Sequence, residues 1–443
     1  MIANVRNRTS RSHCGVARAR AFANPARVDA RQGFTDATGH TLRDGGDDAQ
    51  VIQAAINQAA SMGGAAVYVG SGPLTFLSSL AWTQSGIDVL GDGPGSTVVT
   101  VAYSPNGDVI AIGSPSNNPG YCSVSQMEFA LGAGYTQTSG ALMHVTNGHD
   151  IVFEKIASWG TDDSHDFLAH YYVNGGPEQY ITWLRDLEIN PTHSQAGLAA
   201  ITIGGGGLGG SEANEPQDTW IENVEIGGNG TANCGIALYN SGGCQLQDVA
   251  VTSCFMALAT YPGSSQQVVN VFLDQFLGDG CRDRAFLIGT GGGQVASVHA
   301  INSWFSSTGI NWQDHPEEGA GLTIGGDASA VIDSLSFTNC HLYSNWGHGA
   351  EILQFCENVD FIGCQLSGNS FGAPGTSSGL AIAATPTISG VSIIGGRANG
   401  KLWAGWPTVQ QYGYNIGAGV GNVTIANVQA IGNLVDGIND QSG

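Results

Sequence analysis

From residue 85 onward the chain repeats one phrase: a glycine, alternating apolar residues, a small polar break, then a second alternating apolar run. Copies include "SGALMHVTNGHDIVFEKIASWG" at 139–160, "CGIALYNSGGCQLQDVAVTSC" at 234–254, "GAEILQFCENVDFIGCQLSGN" at 349–369 and "GYNIGAGVGNVTIANVQAIGN" at 413–433. The unit is roughly 21 to 33 residues long, and self-similarity at such a period marks a solenoid. Within each unit the apolar residues recur every second position and are rich in Ile, Val, Leu and Phe, which is strand periodicity. Two or three short strands per unit with no helical stretch between them describe one coil of a parallel β-helix. Propeller blades need about 40 residues each and antiparallel hairpins, neither of which the phrase provides.

Glycine, at 67 of 443 residues, has no G-X-Y period, so it signals tight turns rather than collagen. A hydrophobic content of 42% supplies a core. One segment is helical: in "DDAQVIQAAINQAASMGG", Asp47 or Asp48 caps, Val51, Ile52, Ala55 and Ile56 form the stripe, and Gly63-Gly64 stops it. A helix there closes one end of the coil, which otherwise exposes core and strand edges.

Charge is unevenly placed. Eight of the 14 Lys+Arg fall in the first 44 residues, leaving six basic residues against 33 acidic ones in the body. Nucleic acid is thereby disfavoured as a partner, since phosphate neutralisation needs clustered Lys and Arg. Neutral glycans fit better than polyanionic ones. Residues 1–32 read as a basic flexible arm, or as one that docks onto a larger assembly, ahead of a β-helix domain over 33–443. This stretch lacks the continuous apolar run of a Sec-type signal, and no 18-residue apolar run predicts a membrane span. An extracellular or virion-associated protein exported by another route is compatible with this. Nine cysteines without a CxxC pair argue against a zinc site and predict small buried hydrophobes instead; no metal or cofactor is expected.

The stretch "GGDDAQVIQAAINQAASMGGAAVYVGSGPLTF" followed by "GIDVLGDGPGSTVV" resembles the opening of the pectate-lyase-superfamily right-handed parallel β-helix proteins. These include rhamnogalacturonase- and epimerase-like proteins and phage tailspikes. "FTNCHLYSNWGHGAEILQFCENVDFIGCQLSGN" resembles their rungs, and the likeness covers most of 33–435. It implies a polysaccharide or oligosaccharide partner. The polygalacturonase signature is not reproduced: "TDD" stands at 161–163, "GHG" comes late at 347–349, and no RIK element is present.

Rungs stack about 4.8 Å apart. Glycosidases separate their two carboxylates by about 5–5.5 Å for retention or about 6.5–9.5 Å for inversion. Carboxylates on the same turn of adjacent rungs meet that need. Aligning the turns that precede each rung's first strand sets three in succession. The first holds Asp279, Arg282, Asp283 and Arg284; the second holds Trp312, Asp314, His315, Glu317 and Glu318; the third holds Trp346 and His348. The carboxylates are the catalytic candidates, and the Trp, Arg and His residues are the sugar-binding ones. The densest acidic cluster, "GTDDSHD" with Asp162, Asp163 and Asp166, lies about four rungs away and is a secondary candidate that a neighbouring subunit would have to complete. "SEANEPQD", with Glu212, Glu215 and Asp218, is a third, while Glu188 and Glu225 read as exterior strand charges. "GGGGLGG" lacks the strand–helix setting of a phosphate loop, and no nucleophile-elbow motif is present. The expectation is a glycoside hydrolase acting on a polysaccharide through a carboxylate pair; the alternatives are a tailspike- or adhesin-type binding protein and a lyase or epimerase. Long lateral faces favour a homotrimer.

Overall fold

The computed structural model describes residues 26–442 apart from 138, 160–170, 175–179, 191–198, 205–215, 229–233, 290, 310–318, 403 and 406. It is 53% strand and 4% helix. A 13-stranded sheet runs in chain order from Leu80–Trp82 to Asp436–Asp440, and an 18-stranded sheet takes the remaining strands. The chain passes from one sheet to the other and back on every turn. Pairing is parallel, as between Phe286–Ile288 and Leu322–Ile324 or between Val391 and Ile394 and their partners Val423 and Ala426. This is a coil of stacked rungs, as the repeat predicts.

Two kinds of residue column explain the phrase. At one corner of the larger sheet, Asp186, Asn223, Asp248, Gln275, Asn302 and Asn339 stack on successive rungs with φ between 51° and 57°. Short polar side chains tolerate this left-handed conformation, so the polar residue inside the second apolar run of a unit marks a corner. The second column is glycine. Gly321, Gly349 and Gly379 open successive rungs of the smaller sheet, each amide bonding to the rung that follows. Gly321 and Gly349 lie against a buried amide ladder. Asn345 donates to Asn369 Oδ1 at 3.1 Å, Asn369 donates to Gln410 Oε1 at 3.3 Å, and Gln410 donates to Asn433 Oδ1 at 2.9 Å. A Cβ on Gly349 would stand 2.6 Å from Asn369 Nδ2, so the ladder excludes any side chain there.

Between these columns the inward residues are Ile, Val, Leu and Phe, buried in one continuous core. The eight described cysteines are buried and unbridged; Cys14 lies outside the described residues. The single described helix, α1 (Asp48–Ser61), is capped by Asp47, whose side chain accepts from the Ala49 amide. It buries Val51, Ile52, Ala55, Ile56 and Ala59 against the first strands. Pairing begins at Arg27–Asp29 with Ala66–Tyr68, ahead of residue 33. The Arg27 and Arg31 guanidiniums lie 3.8 and 4.8 Å from the Tyr68 ring centroid. Among the described residues no helix is long and apolar enough to cross a membrane.

One early carboxylate carries a cost. Burial raises the pKa of Asp88 to about 6, against the opposing hydrogen bond from Ser123 Oγ at 2.6 Å. The folded state therefore holds this proton more tightly than the unfolded one, and stability falls as pH rises between about 4 and about 6. Asp88→Asn is expected to raise stability at pH 7 by on the order of 1–3 kcal/mol and to leave it little changed at pH 4, read by denaturant melts at both values.

Candidate functional site

The outer face of the 13-stranded sheet carries the site. Met256 and Arg284 are register partners in that sheet, and the rungs beginning near Leu322 and Ala350 follow directly. Outward-pointing Thr323 pairs in register with Glu351. Arg284, Gly319, Ala320, Trp346, His348 and Glu351 line one cavity of about 360 Å³, together with Ala373, Thr376 and Ser377. Arg284 from the first aligned turn thus meets Trp346 and His348 from the third, with Gly319 beside them.

Inside the cavity the polar groups hold one another. Arg284 Nε donates to Thr323 Oγ1 at 2.9 Å, and Thr323 Oγ1 donates to Glu351 Oε1 at 2.7 Å. The guanidinium also forms an ion pair with buried Asp283 and stands 3.9 Å from Glu351 Oε1. Asp283 and Glu351 both face the Arg284 guanidinium, so Arg284 is not a spare cation for an acidic substituent. The Ser378 amide donates to His348 Nδ1 at 2.9 Å, which fixes the neutral tautomer with Nε2–H directed elsewhere. Burial lowers the His348 pKa, while nearby Glu351 opposes that shift. The cavity therefore combines a titratable carboxylate at 18% side-chain exposure, an uncharged imidazole donor and an indole.

The remaining candidates fall elsewhere. Asp283 is 3% exposed and does not line the cavity; it backs Arg284. Asp279 ends a strand of the other sheet, Leu277–Asp279, where it accepts from Ser306 Oγ at 2.8 Å. Arg282 donates its backbone amide to Cys254 and also stays off the cavity wall. Trp312, Asp314, His315, Glu317 and Glu318 lie outside the described residues, as do Asp162, Asp163, Asp166, Glu212 and Glu215. Asp218, Glu188 and Glu225 are exposed strand residues. Among the described residues no group of three His, Cys, Asp or Glu is arranged to hold a metal ion. Turn alignment does not reach Glu351, which sits inside a strand, Ala350–Gln354. Its signal was present: an acid three residues after His348, at an outward position of an alternating run.

The coil with its outward-facing cavity is a right-handed parallel β-helix. No family model and no curated protein matches the chain. Solved structures do. The tailspike of E. coli bacteriophage HK620, determined in complex with a hexasaccharide, aligns at TM-score 0.60 and 12% identity over 91% of this chain and 78% of that one. Tailspike protein 3 of bacteriophage CBA120 aligns at 0.56 and 12% identity over 93% of this chain and 62% of that one. The Streptococcus pneumoniae surface protein and adhesin PfbA aligns at 0.53 and 11% identity over 94% and 100% of the two chains.

Proposed function

We propose that the chain binds a neutral polysaccharide along the outer face of the 13-stranded sheet and hydrolyses it at the Arg284, His348 and Glu351 cavity. The observation that carries this is Glu351, a half-buried carboxylate held by Thr323 beside an indole and a neutral imidazole. In this reading Glu351 is one member of the carboxylate pair. The other comes from Asp314, Glu317 or Glu318, which precede cavity-lining Gly319 in the sequence. Trp346 supplies an apolar face for a sugar ring, and His348 Nε2–H donates to a hydroxyl or glycosidic oxygen. The hexasaccharide bound by the HK620 tailspike supports the substrate class. Arg284, already bonded to Thr323 and ion-paired with Asp283, supports hydrolysis of a neutral chain over elimination from a uronate, which needs cations to hold the developing carbanion.

The test is product chemistry. Hydrolysis releases reducing ends without the ultraviolet absorbance of an unsaturated uronate; elimination gives that absorbance, and a binding protein gives neither.

A trimer belongs to the same proposal. Ile301, Thr338, Ile362 and Ile394 stack in register on one lateral face, with Ile301, Ile362 and Ile394 exposed by 44%, 39% and 41%. Phe272, exposed by 44% on the strand that pairs with that of Ile301, widens this strip. It is largely apolar and runs across successive rungs, so a second rod of the same rung spacing matches it along its length. Light scattering is expected to give three times the 45.6 kDa chain mass, and Ile362→Lys to shift it towards the monomer.

A further inference from the structure

Seven rungs before Glu351, the same outward column of the 13-stranded sheet passes through His144 in the strand Met143–Thr146. Here three side chains form a hydrogen-bonded chain. Asp108 Oδ2 stands 2.6 Å from His144 Nδ1, and His144 Nε2 stands 3.2 Å from Thr146 Oγ1. The carboxylate accepts from Nδ1–H, which leaves the Nε2 lone pair to accept from the threonine hydroxyl. Asp108 is itself held, its Oδ1 accepting from the Ala141 amide at 2.9 Å. His144 and Asp108 side chains are 21% and 23% exposed, so the relay reaches the surface. A nucleophile within hydrogen-bond reach of a base, with that base oriented by a third group, is the arrangement that activates a hydroxyl for acyl transfer. No sequence motif announces it, because Asp108 and His144 are 36 residues apart and meet only through rung stacking.

We propose that Asp108, His144 and Thr146 form a second active site that hydrolyses carboxylic esters. Thr146 Oγ attacks the ester carbonyl as its proton passes to His144 Nε2. The C–O bond to the alcohol breaks, and the alcohol leaves with that proton. Water, deprotonated by the same nitrogen, then cleaves the acyl-threonine to free acid and restores the hydroxyl. Asp108 is the positioning residue that keeps the imidazole in the required tautomer. That the natural ester is an O-acyl group on a glycan rests on the proposed function, since both sites face the same side of the rod; the ester chemistry itself does not.

The test uses the full-length protein and 4-nitrophenyl acetate, which has no glycosidic bond and reports on this relay whether or not any polysaccharide is cleaved. Thr146→Val, close in shape, is expected to lower kcat at least about a hundredfold with an unchanged melt, and Thr146→Ser to restore it. Asp108→Asn should lower kcat more than it raises KM. Mass spectrometry of the quenched reaction should place an acetyl group on the peptide containing Thr146. Full activity in Thr146→Val, or acetylation of His144 alone, identifies a surface imidazole acting by itself and overturns the proposal. So does hydrolysis no faster than in buffer.

Discussion

Glu351→Gln is expected to lower the rate of polysaccharide cleavage at least about a hundredfold while leaving the fold intact. The amide keeps the volume of the side chain, and its oxygen still accepts from Thr323 Oγ1, which now bonds Oε1 at 2.7 Å. What it loses is titration. A general acid or base must exchange a proton with the glycosidic oxygen or with water, and an amide cannot. The loss should fall on kcat, because Trp346 and the strand backbone remain to bind sugar. The neighbours sharpen the reading. Thr323→Val removes the bond that orients Glu351 and should cost less than the glutamine, since the carboxylate stays titratable. Reducing-end assays on the two variants, with thermal melts as controls, check the order. Full activity in Glu351→Gln would remove this residue from the chemistry.

The second large effect is on stability. Gly349→Ala is expected to destabilise the protein by on the order of 3 kcal/mol, and Gly347→Ala by less than about 0.5 kcal/mol. The two glycines are two residues apart, yet a Cβ on Gly349 would lie 2.5 Å from Gly379 O, 2.6 Å from Asn369 Nδ2 and 2.8 Å from Leu342 O. At Gly347 the nearest atoms are 3.7 Å away. Relief at Gly349 must move either a neighbouring rung or Asn369. That asparagine, fully buried, donates to Leu342 O at 3.0 Å and to Gln410 Oε1, and accepts from Asn345. Displacing it strands buried donors, which costs about 1–3 kcal/mol for each group left unpaired. Equal denaturant midpoints for the two variants would contradict the ladder as the reason for the glycine phrase.

Much of this fold is legible because the solenoid repeats its constraints. One glycine at a rung start says little; the same glycine before "AEIL", "LAI" and "YNI" says that every rung meets the same obstacle there. A polar residue inside or at the end of the second run is likewise a left-handed corner at Asn223, Asp248 and Asn302. The site is less legible. Aligning turns brings Arg284, Trp346 and His348 to one cavity, because the turns share an edge of the sheet. It says nothing of Glu351 and Thr323, whose outward direction depends on register within the strand, and a slip of one residue reverses every side chain. Nor does it separate Asp283 from the cavity: the residue adjoins Arg284 in sequence but points into buried surroundings, where it pairs with that guanidinium. Asp279 belongs to the preceding strand and another sheet. Asp108 and His144 are invisible for the same reason that Glu351 is, since their meeting lies across rungs.

Incubation with a panel of neutral and acidic polysaccharides, followed by counting reducing ends and recording the ultraviolet spectrum of the products, is the decisive measurement. Cleavage of a neutral polysaccharide, with new reducing ends and no unsaturated-product absorbance, is the predicted result. Products carrying that absorbance, or tight binding with no new chain ends across the panel, would contradict it.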